Sequence, residues 1–184
     1  MKIGYCICGS FCTHKNSISV LEKLCENHEV VPILSEIVTK TDTRFGKAED
    51  LIKKVTELCG RSPVTSIKDA EPLGPKEPLD LLVICPCTGN TLAKLAAGVT
   101  DSAVTMAAKA TVRADRPVLI ALCSNDALGA NLKNIGELLN RKNYYFAPLH
   151  YDDPVNKPHS LVSDFGKVPG CAEFAYRRIQ LPLF

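Results

Sequence analysis

Apolar runs and helical periodicities alternate along this chain from its first residues, the pattern of strand–helix units that feed a parallel sheet. Lys2 to Ile7 reads as a first strand, and Ile18, Leu21, Leu24 and Cys25 recur at helical spacing in a helix that ends near Asn27. Glu29 to Leu34 follows as a second strand, and Ala48 to Leu58 as a second helix closed by Gly60. Leu81 to Cys85 and Val118 to Leu122 show no polar alternation, as expected of parallel strands covered on both faces. Further helices are expected from about Asn90 to Ala97, from Ser102 to Val112, and over the amphipathic set Leu128, Leu132, Ile135, Leu138 and Leu139. Tyr144 to Ala147 reads as the final strand and Pro169 to Ile179 as the last helix.

The connections carry the irregular sequence. Glu36 to Gly46 is a polar loop with Thr39, Thr41, Asp42, Thr43 and Arg44, long enough to cover a site, and Val64 to Ile67 reads as a short third strand. Glu71 to Pro78 is a rigid proline loop, because each proline fixes its own φ and disfavours helix in the residue before it. His150 to Ser160 is expected to be irregular, and the apolar end Leu181 to Phe184 either docks on a neighbouring protomer or folds onto its own chain. The expected architecture is α/β: a doubly wound, mostly parallel sheet in a Rossmann-like or flavodoxin-like three-layer sandwich. Residues 1–184 form one domain with a less regular segment at 148–184.

Charge narrows the partners. The 22 basic and 20 acidic residues are scattered and nearly balanced, which argues against nucleic acid or a membrane surface as the main partner. Met1 to Ile7 is too short for a signal h-region or a spanning helix, so a cytoplasmic protein is expected. Nine cysteines without a Cys-x-x-Cys pair then read as reduced thiols packed like small hydrophobes. Cys8, Cys87 and Cys123 each end a predicted strand and Cys12 lies in the first loop, so a metal or redox cluster is the competing reading. Their spacing matches no zinc or iron–sulfur pattern, and no metal is expected.

The candidate chemistry sits at strand ends. In a doubly wound sheet, ligands bind outside the carboxyl ends of the strands where the winding reverses. Three unusual loops fall there: Cys8 to Lys15, Ser35 with Thr41 to Gly46, and Pro86 to Gly98. Gly9 lets the backbone turn closely, while Ser10 and Lys15 can hold a phosphate at the first helix. Pro86, Thr88, Gly89, Asn90 and Thr91 place N–H groups, hydroxyls and an amide at another helix N-terminus, where an anion or electron-rich ring is favoured; the plain alternative is an ordinary N-cap. Gly4 and Gly9 lie five apart with no third glycine, so the dinucleotide fingerprint is absent, as are the Walker A, Gly-x-Ser-x-Gly and His-Glu-x-x-His patterns. A mononucleotide with one phosphate and a flat ring fits best.

With Gly9-Ser10 and Lys15 in the first loop, and Pro86-Cys87-Thr88-Gly89-Asn90-Thr91 followed by Lys94, Gly98 and Asp101, the chain resembles the flavoprotein family of FMN-dependent cysteine decarboxylases and their relatives. The resemblance implies FMN, with its phosphate at Gly9, Ser10, Lys15 and Ser35, its ring against Pro86 to Thr91, and a further contact at Asn125. Thr41 to Gly46, Asp69 to Pro75, the Pro86 segment and Lys157 to Val162 resemble more closely a branch of that family forming half of a two-subunit oxidoreductase. That branch makes a pyridine dicarboxylate for endospores beside a partner subunit that binds NAD or NADP. The resemblance thus implies a dicarboxylate substrate and a homo-oligomer with that partner. Two carboxylates call for a cation, for which Arg44 with Thr41 and Thr43 is the candidate, with Lys157 and Arg113 as alternatives. The plain reading of Arg44 is a solvated arginine or an ion pair with Asp42.

The family's decarboxylases carry a histidine base between the second helix and the Leu81 strand, and this chain has none from Ala48 to Asp80. His14, His150 and His159 remain, each reading as a surface or structural histidine, so no catalytic residue is assigned. A stand-alone decarboxylase-like flavoprotein and a non-catalytic scaffold for the partner are the competing functions.

Overall fold

The computed structural model describes residues 1–74 and 76–184; Pro75 of the proline loop lies outside the described residues. The strands are β1 (Lys2–Ile7), β2 (Glu29–Leu34), β3 (Leu81–Thr88), β4 (Val118–Ser124), β5 (Tyr144–Phe146), β6 (Leu149–Asp153) and β7 (Lys157–Ser163). The helices are α1 (His14–Cys25), α2 (Glu36–Lys40), α3 (Ala48–Cys59), α4 (Ile67–Ala70), α5 (Gly89–Ala97), α6 (Ala103–Arg113), α7 (Leu132–Leu139) and α8 (Val168–Tyr176). The sheet runs β2-β1-β3-β4-β7-β6, with β5 also pairing β4. Pairs β1–β2, β1–β3, β3–β4 and β4–β5 are parallel. This is the flavodoxin-like order, and its winding reverses between β1 and β3.

One core face packs Ile33, Leu82, Ile84, Ile120 and Leu122 against α5, α6 and α7, and the other packs Tyr5, Ile7, Val83 and Leu119 against α1, α3 and α8. Both faces of the central strands are therefore dry, which explains their unbroken apolar sequence. Tyr5 is fully buried and donates its hydroxyl to the Ser17 carbonyl at 2.7 Å, while the Ser17 hydroxyl donates to the Cys85 carbonyl at 2.6 Å. These bonds tie α1 to β1 and β3, fixing the start of the helix beside the strand ends.

Four expectations need correction. The polar loop after β2 begins as α2, whose Lys40 pairs with Glu36 one turn earlier at 2.6 Å. Val64 makes only an isolated parallel bridge with Ile33, and Ile67 to Ala70 is helical because the Ser66 hydroxyl accepts from the Asp69 N–H. Glu71 to Leu73 form a 3-10 turn, with Pro72 in its first positions where no N–H is needed. Residues 149–163 form an antiparallel hairpin, β6–β7, in place of an irregular tail, so β5 is not the last strand. The hairpin joins the sheet by pairing Cys123 with Val162 and Ser124 with Leu161. The segment near the apolar end folds onto its own chain, with the Leu149 N–H bonded to the Leu183 carbonyl at 2.7 Å. Among the described residues no helix is long and apolar enough to cross a membrane.

Candidate functional site

A cavity of about 850 Å³ opens at the carboxyl ends of β3 and β4, within the range of about 300–1,000 Å³ usual for ligand pockets. Its floor is the start of α5. Thr88 caps that helix, its hydroxyl accepting from the Thr91 N–H at 3.2 Å. Gly89 allows a close approach there: a Cβ on it would lie 2.6 Å from Asn131 Nδ2 and 2.7 Å from Ser124 Oγ. Both of those groups donate to Asp126 Oδ1, Ser124 at 2.6 Å and Asn131 at 2.7 Å, and they hold the Asp126 carboxyl below its usual range. Asn134 donates in turn to Asn131 Oδ1 at 2.9 Å, so one polar chain joins the end of β4 to the start of α7.

The opposite wall is the β6–β7 hairpin. Asp152 pairs with Lys157 at 2.7 Å and accepts from the Ser160 hydroxyl at 3.4 Å. Ser160 lies equally close to Asn125 Oδ1, at 3.4 Å, linking hairpin to β4. Ser10 closes the third side in a left-handed conformation, φ 60° and ψ 47°, with its hydroxyl donating to the Cys123 carbonyl at 3.3 Å. Lys133 is the single cation among the lining residues, and it makes no ion pair or hydrogen bond among the described residues.

Five of the expected ligand residues, Ser10, Thr88, Gly89, Asn90 and Asn125, therefore share this cavity. Gly9 lies just behind it, where a Cβ would meet Thr88 Cγ2 at 3.3 Å. Pro86 is buried in β3, where its carbonyl accepts from the Cys8 N–H at 3.3 Å. The Thr91 hydroxyl points inward to Cys8 Sγ at 3.5 Å, so Thr91 supports the turn from below. Ser35 follows β2 with its N–H bonded to the Ile7 carbonyl at 3.0 Å, which sets it beside the end of β1; its hydroxyl oxygen is buried without a hydrogen-bond partner.

The remaining candidates lie elsewhere. Lys15, Thr41 and Thr43 line a second cleft of about 540 Å³ between α1 and α3. Arg44 faces neither cavity; its guanidinium lies 4.8 Å from the Phe45 ring centroid, and Asp42, its alternative ion-pair partner, accepts instead from the Ala48 N–H at 2.9 Å. Arg113 is on α6, lining a separate groove, and Lys157 is engaged by Asp152. His14 Nε2 sits 2.9 Å from the Cys8 carbonyl and 3.3 Å from that of Gly9. Carbonyl oxygens only accept, so this nitrogen donates and the ring braces the first loop. Among the described residues no group of His, Cys, Asp and Glu side chains is placed to hold a metal. Burial pushes the Cys8 thiol up to about 11 and the Cys85 and Cys123 thiols up to about 12, which keeps all three protonated at neutral pH. Asp126, Asn131, Lys133 and Asp152 were not anticipated as site residues. The Ser124-x-Asp126 spacing after an all-apolar strand was the available signal for the first.

Comparison with known proteins places this geometry. The model of the flavoprotein family matches residues 1–168. The chain belongs to that family. It is 45% identical over 181 residues to the B-type subunit of dipicolinate synthase from Bacillus subtilis (strain 168), covering 98% of this chain and 90% of that protein. Among solved structures, the B-type subunit of dipicolinate synthase from Bacillus halodurans C superposes with a TM-score of 0.90 at 41% identity, covering 98% of this chain and 93% of that one. The FMN-dependent cysteine decarboxylase SpaF shares the fold, with a TM-score of 0.68 at 24% identity and coverage of 96% and 97%. The flavoprotein architecture accounts for the crevice: its switch point lies where the loops after β1 and β3 face one another.

Proposed function

We propose that this chain is the B-type subunit of a dipicolinate synthase. With a dinucleotide-binding partner, the A-type subunit of the same synthase, it would convert a dihydro- or hydroxytetrahydro-dipicolinate precursor into pyridine-2,6-dicarboxylate during sporulation. The observation that carries this reading is the 45% identity to the Bacillus subtilis protein over 98% of the chain, too nearly end to end to leave out any wall of the cavity. The absent dinucleotide fingerprint agrees with it, since NAD or NADP would then reside on the partner. In the reaction the hydroxytetrahydro precursor loses water, and the dihydro ring then loses a hydride to the nicotinamide and a proton to solvent, becoming aromatic.

The residues present fit FMN. The unpartnered Ser35 hydroxyl, with Gly9 and Ser10 at the next strand end, would receive the phosphate. The α5 start at Thr88, Gly89 and Asn90, with Pro86 and Thr91 shaping it and Asn125 facing it, would lie against the ring. Lys15 lines the adjoining cleft with Thr41 and Thr43, from which it would add positive charge on the phosphate side. A bound flavin would supply a two-electron relay, passing the one hydride equivalent of the substrate ring on to the nicotinamide of the partner. Substrate carboxylate is assigned to Lys133, because Asp126 and Asp152 in the same cavity already have partners while a dianion needs a cation. A homo-oligomer belongs to this reading as well; a fold neighbour, the UbiX-like decarboxylase from Escherichia coli O157:H7, is dodecameric.

Purified chain and partner are assayed together and apart for dipicolinate, with NAD or NADP, and bound small molecules are identified by mass spectrometry. Product is expected only from the two together. A chain that adds nothing to its partner refutes the proposal, and carbon dioxide released from a cysteine-terminated peptide would put the decarboxylase reading in its place.

A further inference from the structure

Beside the C-terminal end of α5, on a different face of that helix from the cavity, lies a groove of about 390 Å³ with a charge pattern unlike that of the other clefts. Its floor is apolar, formed by Leu95, Val99, Val112 and Tyr144, and Val99 is 41% exposed. Lys109, Arg113, Arg141 and Lys142 surround it, and no carboxylate lines it among the described residues. Two of these cations have structural duties. Arg141 pairs with Glu137 at 2.8 Å and donates to the Leu95 and Ala96 carbonyls at 3.3 and 2.7 Å, closing the end of α5. Lys142 pairs with Asp115 at 2.8 Å. Lys109 and Arg113 have no partner among the described residues, although they stand one turn apart on α6, a like-charge spacing that weakens a helix. The helix dipole favours Arg113 in the last turn of α6, but it accounts neither for Lys109 one turn earlier nor for the exposed Val99 beside them.

We propose that this groove docks a segment of the partner subunit that combines an apolar side chain with at least two carboxylates. The inference rests on the two-subunit reading above. The apolar side chain would cover Val99 and Val112, and the carboxylates would meet Lys109 and Arg113. Charge complementarity selects this occupant: an uncharged apolar segment would leave both cations unpaired, and a basic one would be repelled. The cavity uses the Asn90, Ala93 and Ala97 face of α5 and the groove the Leu95 face, with no lining residue in common, so a segment held in the groove covers none of the residues that line the cavity.

The test measures association of the full chain with the purified partner, for wild type and for the double reversal Lys109→Glu with Arg113→Glu. The double reversal Lys53→Glu with Lys68→Glu, on exposed lysines of α3 and α4, serves as a control of equal net charge. The α6 variant is expected to bind at least tenfold more weakly at low salt with an unchanged thermal midpoint, and the control to bind as wild type. Wild-type affinity should fall as salt is raised. If wild type binds and the α6 variant binds equally well, the docking site is refuted while the two-subunit function stands. If wild type forms no complex and adds nothing to dipicolinate formation, that function fails and this inference with it. If the reversal instead dissociates a homo-oligomer of the chain without touching partner affinity, the groove is a self-interface and the proposal is overturned.

Discussion

Replacing Gly89 with alanine separates two physical effects that pull in opposite directions. As the first residue of α5, alanine should help, because glycine costs up to about 1 kcal/mol in a helix interior and less in the first turn. Against that, the new Cβ would lie 2.6 Å from Asn131 Nδ2, 2.7 Å from Ser124 Oγ and 3.1 Å from Asp126 Oδ1, all closer than ordinary contact. The first two groups cannot retreat independently, since both donate to Asp126 Oδ1 at 2.7 and 2.6 Å. Overpacking of this kind costs about 1–3 kcal/mol, and each weakened bond to a charged group up to about 1.5–3 kcal/mol, discounted because Asp126 is solvent-exposed. A net loss of about 2 kcal/mol is expected, or a midpoint lower by about 4–8 °C for a chain of this size. Urea unfolding at constant m-value measures it, and Asn131→Ala in the same background removes the nearest clash, so the double variant should lose less than the sum of the singles. A Gly89→Ala protein as stable as wild type, or a strictly additive cycle, would refute the account of this junction.

Lys133→Ala should raise the KM for the dicarboxylate about 5–30-fold with little change in kcat, the loss of one charge-assisted contact, and Lys133→Arg should restore most of it; an unchanged KM removes Lys133 from the substrate site. Ser102→Ala breaks the reciprocal capping box with Thr105 at the start of α6 and should cost about 1 kcal/mol in urea unfolding, so a neutral result would contradict it. A thiol reagent on the native protein at neutral pH should label exposed Cys12 first and leave buried Cys8, Cys85 and Cys123 untouched; early modification of those three would contradict their burial. Their folded values, about 11, 12 and 12, lie above the ordinary value of 9.0, so their contribution is complete below pH 9 and is lost as pH rises from there toward 12. A stability plateau running flat through that window would contradict this.

The central strands are legible because both their faces are dry: β1, β2, β3 and β4 carry no polar alternation, and only β3 and β4 run past the ends their apolar runs predict, Cys85 and Leu122, to Thr88 and Ser124. The loops were legible where a single residue fixes the backbone, as with Thr88 capping α5 and Gly60 closing α3. What escaped was structure set by distant partners. The β6–β7 hairpin is exposed at His150, Tyr151 and Asp152 and over the first half of β7, so its burial follows no alternating pattern, and it joins the sheet through Cys123 and Ser124 on another strand. Arg44 drew attention as a cation in a polar loop, yet nothing local says which way such a loop turns, and the Asp42 cap and the bridge from Thr43 to Gly46 settle that. Lys133 lay inside an ordinary amphipathic helix and gave no sign until α7 was placed beside the start of α5.

The hairpin pairs with the parallel scaffold over only two residue pairs, Cys123 with Val162 and Ser124 with Leu161, and is anchored beyond them by Leu149 and Leu161 in the core, yet it contributes Asp152 and Ser160 to the cavity. The wall of the cavity is therefore separable from the sheet that supports it. A designer can exchange the largely exposed residues 150–159 as a cassette, keeping buried Leu149, Ser160, Leu161 and Ser163 with Val162, and reshape the pocket without redrawing the strands that hold it.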